Sequence, residues 1–357
     1  MDKRVYRLDL LRAFAIFSVF LAHTVLSYGA PAHLAPLQFG GTGVDLFFVL
    51  SGWLIGSQLF AEQQKYGDIQ VVRFWIRRWM RTLPAYYAVL IFTLLQLSLT
   101  KDGFTIPLSY FVFLQNYQTD LPFFAVSWSL SVEEQFYLCI APIVVFLVRL
   151  VKHVRTLILT ILLLMPLVFR SLGWYETDIE THVRWDCCLM GILMAQVYFD
   201  FPGLWKKIAR FACPLAILAS IIYCSFYLAR WGLGNYWLEA DKLALAFLFA
   251  SWLIWATDKA NKRFWGYAFI AYISTRSYSI YLLHPEALAL ARRFFPDIPF
   301  VIYFFLAAII SCLAAEVLFR LIEQPVMQMR SRFNFSCSRS QLKKQSQKVE
   351  QRSIPHG

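Results

Sequence analysis

Charge is scarce in this chain. Asp, Glu, Lys and Arg together make up 16% of its 357 residues, whereas a soluble globular domain approaches a quarter. That shortage excludes an ordinary water-soluble enzyme. Cysteine occurs seven times, yet never as CxxC or in a Cys/His group with zinc spacing. Most of the seven (139, 187, 188, 213, 224, 312 and 337) fall in apolar runs, which argues against a structural metal and against a disulfide framework. No internal repeat is visible, although a divergent inverted duplication of the transporter kind could hide in a chain of this sort.

What is abundant is apolar and aromatic. Hydrophobic residues reach 59%, with 33 Phe, 18 Tyr and 12 Trp, the composition of a polytopic helical membrane protein with aromatic belts at the headgroups. Apolar segments of spanning length, or slightly short of it, occur near 9–29, 43–60, 84–100, 130–148, 157–172, 185–201, 211–229, 243–257, 268–288 and 300–322, and predict an all-α bundle of about ten transmembrane helices. The fifth is short and carries Pro166 and Arg170; the ninth holds Arg276. The bundle domain is read as 1–326, and residues 327–357 as a basic, disordered tail that touches anionic lipid.

The excess of positive charge, formally +12, is topological. Alternate connections (1–12, 61–82, 149–156, 203–210, 258–264 and 326–357) carry 25 of the 34 lysines and arginines, the opposite connections seven, and the spans Arg276 and Arg320. The positive-inside rule then places both termini in the cytoplasm and removes nucleic acid as a partner. The N-terminus imitates a signal peptide ending at Ala30-Pro31-Ala32, but the expectation is an uncleaved first span, because cleavage would discard its most unusual feature.

That feature is RAFAIFSVFLAH, in which Arg12 and His23 bracket ten residues that do not ionise. Eleven helical steps of about 100° put the two on one face, about 16 Å apart in depth, a spacing compatible with a shared cleft. In GVDLFFVLSGWLIG, Asp45 sits near the outer boundary, and Ser51-Gly52 reads as close helix packing rather than as a nucleophile. In RFWIRRWMRTLP, Arg73, Arg77 and Arg81 recur at i, i+4 and i+8 with Arg78 alongside. Such a cluster binds either a polyphosphate or anionic headgroups.

Two adjacent carboxylates, Glu133 and Glu134 in WSLSVEEQFYL, are costly at a membrane entry and mark a site. They point about 100° apart, so one faces a cleft and the other snorkels. Arg184 and Asp186 in HVRWDCCLMG read as a mutual ion pair. In RSYSIYLLHPEAL, Tyr278, Tyr281 and His284 form a polar stripe in which His284 is either a satisfied core histidine or a catalytic one. Glu323 before Pro325 reads as a helix end facing the cytoplasm. Taken alone, these groups fit an enzyme or a secondary transporter with an Arg/Glu/His proton relay.

Seven stretches in order, LDLLRAFAIFSVFLAH, GVDLFFVLSGWLI, RRWMRTLP, WSLSVEEQFYL, HVRWDCCLMG, SYSIYLLH and FRLIEQP, resemble the membrane acyltransferase family 3 over about residues 5–326. Leu11 stands where that family often has glycine, and Trp53 where it more often has Phe or Tyr. The resemblance implies acyl transfer from acetyl-CoA, without a metal, to a sugar hydroxyl of a lipid-linked or surface glycan outside a bacterial cytoplasmic membrane. Lipopolysaccharide O-antigen is the first expectation; another acyl group or a non-sugar acceptor is the alternative. No hydrolase-like second domain is read after the bundle, so the membrane domain is expected to complete the transfer itself.

Histidine, with an ordinary pKa of about 6.5, suits the general base that a sugar hydroxyl needs. The implied roles are His23 as base, Glu133 orienting it or replacing it, Arg12 on donor phosphate or developing charge, and His284 in reserve. Arg77, Arg78 and Arg81 would hold the CoA phosphates. Asp45, Glu134, Arg184, Asp186 and Tyr281 are the candidates for acceptor contact, all along one continuous passage for the pantetheine arm.

Overall fold

The computed structural model describes residues 5–233, 242–257 and 265–330. Among them every apolar segment is helical and no strand occurs. In chain order the helices are α1 (Tyr6–Ser27), α2 (Gly43–Tyr66), α3 (Val71–Thr100), α4 (Trp128–Leu147), α5 (Lys152–Leu172), α6 (Asp186–Asp200), α7 (Pro202–Arg210), α8 (Ala212–Leu233), α9 (Lys242–Thr257), α10 (Tyr267–Phe294) and α11 (Phe300–Leu318). The last runs on through a π-turn, Phe319–Glu323, as far as Arg330. Helix therefore extends past 326, and the tail beyond 330 lies outside the described residues.

Six of these helices are long and apolar enough to cross a membrane alone, or up to seven if the bent pair α6 and α7 counts as one. α5 is among the six despite Pro166 and Arg170. α6, α8 and α9 fall short of that standard in described length or composition, and α10 carries too much polarity for it. Spanning by all ten segments thus goes beyond what length and composition establish, whereas a multi-pass membrane protein is what they support.

The break between α6 and α7, a bend of 113°, sits at Pro202, which cannot continue a helix from Phe201. α7 then carries Lys206, Lys207 and Arg210, an interfacial composition.

Close packing of α2 on α6 sets the centre of the bundle. A Cβ at Gly52 would lie 2.0 Å from the Cys188 carbonyl oxygen, and one at Gly191 would lie 2.3 Å from that of Val49. Small residues let the two backbones touch, the usual way helices associate without a hydrophobic drive between them. α1 packs on α10 and α2, and α10 on α11. The connection from α3 to α4 is an ordered cap. Tyr86 and Tyr87 donate to the carbonyls of Tyr110 and Phe111 at 2.8 Å, and buried Gln115 bonds the Tyr86 hydroxyl and Ser127.

Candidate active site

α1 is tied to α10 through Asp9, a residue whose role the sequence did not advertise. Its buried carboxylate accepts hydrogen bonds from Tyr267 and Ser274, both at 2.7 Å, and Arg12 reaches it at 3.5 Å one turn further on. The i, i+3 spacing of an acid and a base was the available signal. Arg12 thereby comes to the wall of a cavity of about 120 Å³. α1, α2, α3, α4 and α10 enclose this space, and its ionisable walls are Arg12, Arg78, Arg81 and Glu133 together with Tyr137, Tyr278 and Tyr281.

The arginines of α3 are not used as one row. Arg73 pairs with Glu62 of α2, and Arg77 is absent from the cavity wall. Arg78 and Arg81 face the space instead. With Arg73 taken by Glu62 and Arg77 off the cavity wall, the expected Arg73/Arg77/Arg81 stripe gives way to an Arg78/Arg81 pair three residues apart. The Arg78 guanidinium lies between the rings of Phe74 and Tyr137, 5.9 and 5.5 Å from their centroids.

The two carboxylates of α4 do part company. Glu133 faces the cavity beside Tyr137, Ser51 and Arg78. Glu134 does not snorkel: it is buried, and Oε1 accepts the Thr82 hydroxyl at 2.6 Å, while Oε2 has no hydrogen-bond partner among the described residues. Ser51 bonds the Tyr137 hydroxyl at 2.6 Å, a tie between α2 and α4 that accompanies the close packing at Gly52.

His23 does not line this cavity and does not meet Glu133. Its partner is His284: Nδ1 of the first lies 2.6 Å from Nε2 of the second, with the rings within 6° of parallel. The reason His284 points there lies one residue on. Pro285, inside α10, has no N–H, so the carbonyl four residues back, that of Tyr281, loses its helical donor. His284 Nδ1 takes that place at 2.8 Å.

A carbonyl only accepts, so this bond sets the proton on His284 Nδ1. In a neutral ring Nε2 is then the acceptor, His23 Nδ1 must donate, and the His23 lone pair resides on Nε2. Neither the spacing Arg-x10-His nor the aromatic stripe disclosed this chain of donors.

Tyr281 touches both places. It walls the cavity, its ring centroid is 5.6 Å from that of His284, and its hydroxyl donates to the Val126 carbonyl at 2.9 Å and sits 2.7 Å from Ser129 Oγ. A continuous passage from Arg12 to His23 was expected; the structure shows the cavity at Arg12 and the imidazole pair at His23 as two places, with neither histidine on the cavity wall.

The remaining candidates form a separate buried network. Arg184 pairs with Asp45 of α2 at 3.0 Å and Asp186 with Arg170 of α5 at 2.8 Å, instead of with each other. Asp186 opens α6 and accepts the N–H of Cys187 at 3.0 Å, which aims it back toward α5. Arg184, just before the helix, reaches across to α2 and lies 4.9 Å from the Trp128 ring centroid. None of these four lines the cavity. Of the five residues expected to touch an acceptor, only Tyr281 does line it. Arg276 and Glu316 likewise pair between α10 and α11.

Known proteins carry related sequences. The O-acetyltransferase OatA of Staphylococcus aureus is 26% identical over 89% of this chain and 56% of its own length. The peptidoglycan O-acetyltransferase OatA of Listeria monocytogenes is 25% identical over 91% of this chain and 56% of its own. The chain therefore spans little more than half the length of these relatives. No solved structure matches it significantly. The acyltransferase-domain family matches residues 5–320, a segment that holds the arginine cavity, Tyr281 and the imidazole pair, and to that family this chain belongs.

Proposed function

We propose that the chain moves an acetyl group from acetyl-CoA, taken at the cytoplasmic face, to a hydroxyl of a cell-surface glycan beyond a bacterial cytoplasmic membrane. The distribution of Lys and Arg supports cytoplasmic termini, and ten crossings follow if α6, α8, α9 and α10 also span. The observation that carries the reading is the hydrogen-bonded run from the Tyr281 carbonyl through His284 to His23, which leaves one imidazole nitrogen ready to take a proton.

In this mechanism His23 Nε2 removes the proton of the acceptor hydroxyl as its oxygen attacks the thioester carbonyl carbon. The C–S bond then breaks, and the proton passes to the departing CoA sulfur. Base catalysis of this kind contributes roughly 10²- to 10⁴-fold. His284 is a positioning residue in this scheme. Arg78 and Arg81 hold donor phosphates, since guanidinium forks match phosphate oxygens, and Arg12, steadied by Asp9, meets the charge that develops on the donor.

Acceptor identity rests on the relatives: one is named for peptidoglycan, which moves the expectation from lipopolysaccharide O-antigen toward the cell-wall glycan. The test uses the purified chain in nanodiscs with acetyl-CoA and each glycan in turn, following free thiol release and acetyl ester by mass spectrometry. Thiol release coupled to an ester on one glycan supports the reading. Solute movement in proteoliposomes without thioester loss would replace it with the transporter.

A further inference from the structure

One more arginine joins the α3 cluster from a distant part of the chain. Arg330, at the end of the α11 extension, donates from Nη1 to the Arg77 carbonyl at 3.3 Å. The charges that act on it are those of Arg81, Arg77 and Arg78. It lies beyond the segment that the family matches, which ends at 320.

Its position is built by α11 itself. The π-turn Phe319–Glu323 packs on α3 and is anchored to α10 where Ser279 donates to Glu323. A π-turn inserts about one residue, turning everything after it by about 100° relative to an unbroken α-helix. That turn accompanies the meeting of Arg330 with α3. Like charges gathered in one region repel, and a phosphate dianion placed among them removes the repulsion while gaining paired N–H···O bonds.

We infer that Arg330 and Arg77 form a phosphate-monoester subsite next to the Arg78/Arg81 pair, and that it takes the 3′-phosphate of the CoA donor. The inference rests on the acetyl-CoA reading above. Donor anatomy agrees with two adjacent basic places. The diphosphate, at the head of the pantetheine arm, belongs at Arg78 and Arg81 on the cavity wall. The 3′-phosphate, one ribose away, is assigned to the neighbouring place, where Arg330 meets α3 at the Arg77 carbonyl.

The experiment compares acetyl-CoA with acetyl-3′-dephospho-CoA in wild-type protein, Arg330→Ala and Arg330→Lys, each in nanodiscs of zwitterionic and of anionic lipid. The expected result is that Arg330→Ala lowers kcat/KM for acetyl-CoA about tenfold, through KM. The same substitution should move the dephospho donor less than twofold, and Arg330→Lys should recover part of the loss.

Equal loss with both donors, or no loss with either, overturns the inference. A defect that appears only in anionic lipid, and equally for both donors, assigns the phosphate to a headgroup and also overturns it. Wild-type protein that acetylates glycan from neither donor overturns the acetyl-CoA reading itself, a result distinct from any behaviour of the Arg330 variants.

Discussion

Two sets of arginines teach different lessons. At Arg184 and Arg170 each guanidinium meets a carboxylate, Asp45 and Asp186, at 3.0 and 2.8 Å. Arg78 and Arg81 instead face a cavity whose wall they share with Glu133. Desolvation falls chiefly on the first set, where Arg184, Asp45 and Asp186 are buried, whereas Arg81 is exposed. The first recovers it within the protein and thereby locks α2, α5 and α6 together; the second leaves its hydrogen-bonding capacity pointed at a space that a ligand can fill. Titratable residues in a membrane bundle therefore divide into braces and binding groups by what stands opposite them.

The sharpest break in that comparison comes from the imidazole pair. His23→Ala is expected to lower acetyl transfer by at least 10²-fold and up to about 10⁴-fold while the protein still accumulates in the membrane; normal turnover would place the base elsewhere.

Arg184→Ala tests the brace. Leaving Asp45 buried and unpaired should destabilise the fold by about 3–5 kcal/mol, read as a drop in Tm in detergent. Because a buried pair replaced on both sides by apolar groups is often close to neutral, Asp45→Leu with Arg184→Met should recover much of that drop.

His284→Ala is expected to lower kcat about 10- to 100-fold, the range seen when a group that orients an imidazole is lost, with donor KM within about twofold. A rise in donor KM instead would make His284 part of the donor site. Arg78→Ala should have the smallest effect, raising donor KM about tenfold with Tm unchanged. A large fall in Tm would move Arg78 from the binding set to the braces.

Much of this molecule was legible from its residues. The ten apolar segments became helices because a run of apolar residues that must satisfy its backbone in lipid has little else to form. The small residues at Ser51-Gly52 were an equally local matter. The arginine row was legible only in part. Spacing named four candidates on α3, but Glu62 claimed Arg73, and the i, i+3 relation of Arg78 and Arg81 prevailed over i, i+4. For the carboxylates, adjacency showed that the two diverge, yet Thr82, 52 residues away, decided that Glu134 stays buried.

By itself, then, the sequence determined which segments are helical, the uneven spread of basic residues and the face shared by Arg12 and His23, because each of these depends on neighbours along the chain. Only the tertiary structure decided which charge pairs with which, that Tyr281 touches both the cavity and His284, and that His284 rather than Glu133 holds His23. Partners such as Asp45 and Arg184, or His23 and His284, are 139 and 261 residues apart. Hydrogen bonds act over about 3 Å, so helix packing alone selects among the partners that a one-dimensional pattern leaves equivalent.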